Sequence, residues 1–179
     1  MNAKINIKDS ILETNRLVLR PFKRSDLDDF YAYAKVWGVG QMAGWLPHQS
    51  IKQSQEILEK FIEGEKTFAI VYKNNHKVIG SIGIENLRNI DEEKLKKLKG
   101  RELGFVLSKE YWGLGIMPEA VKKVIDYLFH DCNLDFITCS YFIDNNQSKR
   151  VQEKCGFKFL KKVILPTQMQ EEKEGNLNI

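Results

Sequence analysis

"RELGFVLSKEYWGLGIMPEA", residues 101–120, decides how this chain is read. "ELGFVLS" has the composition of a strand, and an apolar helical stripe begins past the glycines and continues through Val121, Val124, Ile125 and Leu128. Between the two stand Gly113 and Gly115, one residue apart, behind a Tyr-Trp pair. A helix N-terminus has unsatisfied N–H groups and a partial positive charge, and glycines remove the side chains that would hold a phosphate away from them. Pro118 fits the first helical turn, where its missing N–H costs nothing. The stretch predicts a strand, an anion-binding turn and a helix over Pro118–His130. No Gly-Lys-Ser/Thr follows, and Pro118 stands where a GxGxxG motif needs its third glycine. A nucleoside triphosphate is therefore disfavoured, and a diphosphate-bearing cofactor fits better.

Upstream, "RLVLRPF" (residues 16–22) alternates like a strand, and Ser25 precedes Asp28 with the spacing of a capping box that opens a helix through "DDFYAYA". "SIKQSQEILEKFIEG" sets Ile51, Ile57, Leu58, Phe61 and Ile62 near one helical face and is expected to stop at Gly64. "TFAIVY" and "KVIGSIGIENL" read as strands joined by a turn at "KNNH". "DEEKLKKLKGR" reads as a solvated, charged excursion. Downstream, "FITCSYF" is a strand, "NQSKRVQEKC" a helix closed by Gly156, and "FKFLKKVIL" a last strand. The order β-α-α-β-β-β-α-β-α-β predicts a mixed, mainly antiparallel sheet with one parallel crossover, whose helix starts right after the glycines.

The 179 residues suit one domain with a sizeable core, read here as residues 1–179 without repeat or linker. The net charge of +4 is compatible with an anionic ligand and too weak to argue for nucleic acid. No apolar run approaches the roughly 20 residues of a membrane helix, and the N-terminus shows no signal-peptide pattern. Cys132, Cys139 and Cys155 are odd in number and lack CxxC spacing, which points to a reducing cytoplasm. His48, His76 and His130 are scattered, so no metal site is expected.

Four stretches in order resemble the GNAT superfamily of acyl-CoA-dependent N-acetyltransferases, and within it the RimJ/RimL-like branch: "ETNRLVLRPFKRSDLDDFY", "GWLPHQS", "RELGFVLSKEYWGLGIMPEA" and "DNNQSKRVQEKCGF". They span about residues 12–160. The resemblance implies an α/β (α+β) GNAT fold, a single mixed, mostly antiparallel sheet with helices on both faces. It implies acetyl-CoA as the cofactor and a primary amine as the acceptor: a protein N-terminal α-amine or a small-molecule amine. Polyamine or antibiotic acetylation, or a non-catalytic acyl-CoA-binding module, are the alternatives. No nucleic-acid or membrane partner is implied, and a homodimer is left open.

The family's Gln/Arg-x-x-Gly-x-Gly/Ala pattern puts Trp112 first, Gly115 at the fixed glycine and Met117 last, where a small residue is usual. Gly113 and the backbone N–H groups from about Leu114 through Gly115, Ile116, Met117, Pro118 and Glu119 to Ala120 would then hold the pyrophosphate. Leu107, at the splayed end of the central strand, would supply the oxyanion N–H. Glu102 is the candidate base, directly or through water, and Glu85 the runner-up; an ion pair with Arg101 or another cation is the plain alternative for Glu102. Ser148 would hydrogen-bond the thioester sulfur or thiolate, since Gln152 occupies the position where many members place a tyrosine. Asn145 would orient the pantetheine amide. Both Ser148 and Asn145 are also good helix caps. Trp45 and His48 would line the acceptor side. Cys155 reads as a core thiol, so direct transfer without an acetyl-enzyme is expected. The tail "LPTQMQEEKEGNLNI" is polar and short, so the branch's final strand is expected to be missing, reduced to "NLNI", or supplied by a partner subunit.

Overall fold

The computed structural model describes residues 1–168 and 172–179. In chain order the elements are β1 (Leu12–Glu13), β2 (Leu17–Pro21), α1 (Leu27–Ala34), α2 (Ile51–Gly64), β3 (Thr67–Tyr72), β4 (Val78–Glu85), α3 (Glu93–Lys96), β5 (Gly100–Leu107), α4 (Ile116–His130), β6 (Phe136–Phe142), α5 (Asn146–Lys154), β7 (Phe159–Leu165) and β8 (Lys173–Asn178). The strands form one sheet in the order β1-β2-β3-β4-β5-β6-β8-β7. Pairing is antiparallel except between β5 and β6, which run parallel with α4 as the crossover between them. This is the mixed sheet expected from the sequence.

Helices cover both faces. On one face Ile116, Ala120, Val121, Val124 and Leu128 of α4 pack on inward residues of the central strands, including Leu19, Ile82 and Leu103. On the other, Phe30, Tyr33 and Ala34 of α1 and Leu58 of α2 pack on Ala69, Val71 and Val78. The alternating burial of β2 splits it between the two, Leu17 and Leu19 inward to the first core and Val18 toward the second. Among the described residues no helix is long and apolar enough to cross a membrane.

Three local expectations are corrected. Ser25 does not cap α1; it lies in a short 3-10 turn at Arg24–Asp26. There the Asp26 carboxylate accepts the Lys23 N–H at 2.7 Å and both terminal nitrogens of Arg20 at 2.8 Å. The charged residue next to the serine wins because it can also be paired. Helix α2 ends at Gly64 as expected, and the left-handed residue that follows is Glu65, with φ of 48°. Its carbonyl accepts the Ile7 N–H at 2.9 Å and its carboxylate the Asn6 amide, so the N-terminal segment holds a conformation that glycine would adopt unaided. That segment is itself structural: Ala3, Ile5 and Ile7 are buried in the main core, and Asn2 bridges Gly100. Helix α4 begins two residues before Pro118, at Ile116.

The third correction is the final strand. Strand β8 is neither missing nor lent by a partner; it belongs to this chain, takes in the "NLN" of the tail and inserts between β6 and β7. Residues 169–171 of the tail lie outside the described residues. Leu177 is fully buried against Phe142, Val163 and Leu165 and is the apolar anchor of the strand. Leu177→Ala should cost about 2–5 kcal/mol, the usual range for emptying a leucine site in a core. A denaturation midpoint within error of the parent would mean that β8 does not close the sheet in solution.

Candidate active site

The ladder between β5 and β6 is short. It pairs Gly100–Leu103 with Phe136–Cys139 and ends there, although β5 runs on to Leu107 and β6 to Phe142. From Cys139 onward β6 pairs on its other edge with β8. The strands splay, and a cleft of about 400 Å³ opens between them. Gly104 to Leu107 form one wall, Ser140 to Phe142 the other, and the glycine turn with the start of α5 closes one end.

At that end Gly113 has φ of 78° and Gly115 φ of 72°, left-handed values that glycine takes without strain. A Cβ on Gly113 would meet nothing within 4 Å, so the turn is open as well as sharp. Gly115 caps α4, and the first bond of the helix runs from the Glu119 N–H to the Gly115 carbonyl at 3.3 Å. Pro118 has no N–H. The donors that α4 leaves for an anion are therefore those of Leu114 through Met117, a shorter run than the sequence suggests. Ala120 is buried in the core, and Met117 packs there too, so the methionine fills the core under the turn. Trp112 fastens the turn to the strand: its indole N–H donates to the Leu107 carbonyl at 2.8 Å.

Glu119 turns away from the cleft. Its carboxylate accepts the Thr14 hydroxyl at 2.6 Å, the Arg16 N–H at 3.0 Å and the Arg16 guanidinium at 2.7 Å. The other arm of Arg16 donates to the Leu114 carbonyl at 2.9 Å. The segment leading into β2 thus grips the glycine turn at both ends. Sequence spacing gave no sign of Arg16 or Thr14, which reach the turn only through the fold.

Glu102 sits where the ladder ends, 1% exposed. Its Oε1 accepts from Arg88 Nη2 and from the Ser140 hydroxyl, each at 2.9 Å; its Oε2 takes only a long contact of 3.4 Å from Arg88 Nε. Arg88 lies in the loop after β4 and is half exposed. The cation beside Glu102 is Arg88 and not its sequence neighbour Arg101, which points to the opposite face and donates to the Ala3 carbonyl and Asn86. Glu85 faces Glu102 in the β4–β5 register but is exposed and outside the cleft.

Trp45 and His48, expected on the acceptor side, are not part of the cleft lining; they pack on each other with ring centroids 5.1 Å apart. His48 is buried, its Nδ1 is 2.7 Å from the Ser54 hydroxyl, and burial lowers its pKa. Val39, Met42 and Ala43, earlier in the same loop, form the rim.

Helix α5 supplies the fourth side. Asn145 is its cap: Oδ1 accepts the Ser148 N–H at 3.0 Å, while Nδ2 donates to the Met42 carbonyl at 3.0 Å. Asn145 is 6% exposed, so the amide that the resemblance offers to pantetheine is engaged in holding the helix and the rim loop. Ser148, in contrast, makes no cap with its hydroxyl, is half-buried and lines the cleft. Beneath it Gln152 is fully buried, with Nε2 at 3.3 Å from Ser148 Oγ. Cys139 and Cys155 are poor nucleophiles: burial pushes the Cys155 thiol up to about 11 and Cys139 well above its ordinary value.

Burial raises the Glu119 pKa, but the hydrogen bonds from Thr14 and Arg16 together with the guanidinium charge outweigh it, and the net shift is downward. A carboxyl lowered on folding stabilises the native state above its unfolded pKa of about 4.3 and loses that contribution as pH falls through the folded value. Glu119→Gln should therefore lower the thermal midpoint at pH 7, and the gap to the parent should close below about pH 4. A gap that stays constant from pH 7 to pH 3 would show that charge at Glu119 does not hold the turn.

The profile of the family described as acetyltransferase (GNAT) domain matches residues 16–158. The uncharacterized N-acetyltransferase p20 of Bacillus licheniformis is 30% identical over 152 residues, 82% of this chain and 81% of that protein. Among solved structures, the chain is similar to a ribosomal-protein-S5-alanine acetyltransferase from Vibrio fischeri, with 24% identity, a TM-score of 0.72 and 95% of each chain covered. It is also similar to spermidine N-acetyltransferase from Vibrio cholerae in complex with CoA and spermine, with 18% identity, a TM-score of 0.73, and 93% of this chain and 96% of that one covered. These two likenesses speak to the fold alone. The matched segment runs from Arg16, which grips the glycine turn, past the end of α5, and so takes in the turn, Glu102 and Ser148 together; this chain belongs to the GNAT acetyltransferases and uses acetyl-CoA.

Proposed function

We propose that this acetyltransferase acts on a protein N-terminal α-amine, as the RimJ/RimL-like branch does, with Glu102 receiving the amine's proton and Ser148 hydrogen-bonding the departing sulfur. The observation that carries this reading is the division of labour at the start of α5. Asn145 caps the helix, which leaves the Ser148 hydroxyl facing the same cleft as Glu102.

The residues fit acetyl-CoA. The N–H groups of Leu114 to Met117, cleared by Gly113, suit a pyrophosphate, and Arg150 and Lys154 of α5 add positive charge to the cleft. The edge of β5 beyond Leu103 has no strand beside it, so its backbone groups suit an extended, amide-bearing arm. Acetyl-CoA supplies the activated acetyl group. Glu102 Oε2, with only its long Arg88 contact, is the oxygen left to take a proton, directly or through water. The neutral buried thiols support direct transfer.

Charge narrows the acceptor. Among the described residues lining the cleft, Glu102 is the single carboxylate, against Arg88, Arg150 and Lys154. A polycation would find one carboxylate there, already paired with Arg88, whereas an α-amine with a pKa of about 7.7–8.0 carries a far larger neutral fraction than a lysine-like amine and needs only modest help from a base. The three free thiols fit a reducing cytoplasm.

Coenzyme A release should be faster with peptides bearing free N-termini than with spermidine or aminoglycosides; higher kcat/KM for spermidine than for every peptide would overturn the acceptor assignment. Glu102→Gln should cut turnover about tenfold or more, within the span of general acid–base effects, with acetyl-CoA affinity nearly unchanged and the deficit narrowing as pH rises through the amine pKa. Parent-like turnover at neutral pH would pass the role to Glu85 or to water. Ser148→Ala should lower kcat with little change in KM for acetyl-CoA, the pattern of an interaction made only in the transition state. A loss of thermal stability with full turnover per folded molecule would remove Ser148 from the chemistry.

A further inference from the structure

Gln152 has no solvent exposure, and its amide sits among three groups. Nε2 is 3.4 Å from the Ser140 carbonyl and 3.3 Å from Ser148 Oγ, and Oε1 accepts from Asn178 Nδ2 at 2.9 Å. Amide orientation follows from what each neighbour can do. The Ser140 carbonyl can only accept, so the nitrogen of Gln152 must face it. Its oxygen must then face Asn178, which answers with its own NH₂. That arrangement leaves Asn178 Oδ1 buried without a partner. Turning both amides over would set Gln152 Oε1 against the Ser140 carbonyl, two acceptors face to face in a dry site, which costs more.

The two N–H bonds of Gln152 therefore go to Ser140 and to Ser148. Ser148 Oγ accepts, and its single proton is not needed by Gln152. A hydroxyl that accepts a hydrogen bond is polarised into a stronger donor. Since Ser148 lines the cleft, its proton is free to point there.

We propose that Gln152, itself oriented by Asn178 of the terminal strand, is a positioning residue that fixes the direction of the Ser148 hydroxyl so that its proton faces the sulfur of the acyl donor. This rests on the Ser148 reading above. No bond forms or breaks at Gln152 or Asn178; they set only which way one hydrogen bond runs.

The first readout needs no acceptor. Coenzyme A is bound to the protein, and its thiol is titrated by the ultraviolet absorption of the thiolate, as a difference against the protein alone. A donor held toward the sulfur favours the thiolate, so Ser148→Ala should raise the apparent pKa of the bound thiol by about one unit. Gln152→Met keeps the length of the side chain and removes both donors; it should raise that pKa similarly, and the double variant no further, because the two act as a unit. Asn178→Asp offers Gln152 an acceptor in place of a donor and should turn its amide over, with the same result. It carries the test alone if Gln152→Met does not fold. With a short peptide bearing a free alanine α-amine as acceptor, kcat should fall about tenfold in each single variant while KM for acetyl-CoA stays within about twofold. If Ser148→Ala raises the thiol pKa but neither Gln152→Met nor Asn178→Asp does, the orientation proposal fails and the Ser148 role stands. If their effects persist undiminished in the Ser148→Ala background, they are structural and the proposal fails likewise. If Ser148→Ala leaves the thiol pKa unchanged, the Ser148 reading falls and this proposal with it.

Discussion

The parallel ladder between β5 and β6 stops at Leu103 and Cys139, and the active site exists because it stops there. Strand β6 changes partner at Cys139: its first half is held by β5 on one edge and its second half by β8 on the other. A strand anchored in this way on successive edges swings away from its first neighbour. On the edge that faces β6, the backbone groups of β5 beyond Leu103 are then left without a strand beside them, while β4 still pairs the other edge, and unpaired peptide groups inside a protein need water or a ligand. The two groups given chemical roles stand on either side of this opening. Glu102 lies one residue before the last ladder pair, and Ser148 rides on the helix that follows β6. Ser140, the first residue of β6 past the ladder, touches both neighbourhoods, with its hydroxyl on Glu102 and its carbonyl beside Gln152.

How far the sequence could be read depended on how local each interaction is. The glycine turn was legible because everything it needs lies within a few residues: a strand end, two small residues, a proline tolerated in the first turn and an apolar stripe. What grips the turn was not legible, since Arg16 and Thr14 are about a hundred residues away along the chain. The same holds for Arg88, which meets Glu102 through a loop of no regular pattern. Trp45 and His48 show a related limit. A loop rich in aromatic and glycine residues marks a site or an anchor equally well, and here the rings pack into the second core while plainer neighbours form the rim. Ala3, Ile5 and Ile7 alternate as a strand does, but the five residues from Ala3 to Ile7 are too short a stretch to carry a strong periodic signal.

Strand β8 shows a different limit. Hydrophobic periodicity finds strands whose stability comes from burying apolar side chains. "KEGNLN" has one such residue, Leu177. The rest of its specificity is polar or steric. Asn176 donates to the Tyr141 hydroxyl at 2.9 Å, Asn178 to Gln152, and any Cβ on Gly175 would stand 2.4 Å from Leu165. A strand that slots between two others already in place can be specified by hydrogen bonds and by the absence of a side chain, and neither leaves a period in the sequence.

The relation of Ser148 to Gln152 follows from helix geometry. On the resemblance drawn from the sequence, Gln152 stands where a tyrosine would be expected, and a phenol both reaches far and donates its own proton. Residues four apart share one helical face, so a donor at position 148 addresses the same side of α5 from one turn nearer its start. A serine side chain is short, however, and its hydroxyl rotates freely between staggered positions. Reach is restored by seating the start of α5 against the cleft, which Asn145 does by capping the helix and tying it to the rim loop at Met42. Direction is restored by filling the tyrosine's position with a group that donates to the serine from below. In the proposed arrangement a rigid aromatic donor gives way to a short hydroxyl with a fixed base and a fixed orientation, and the second requirement ties the chemistry of the cleft to β8.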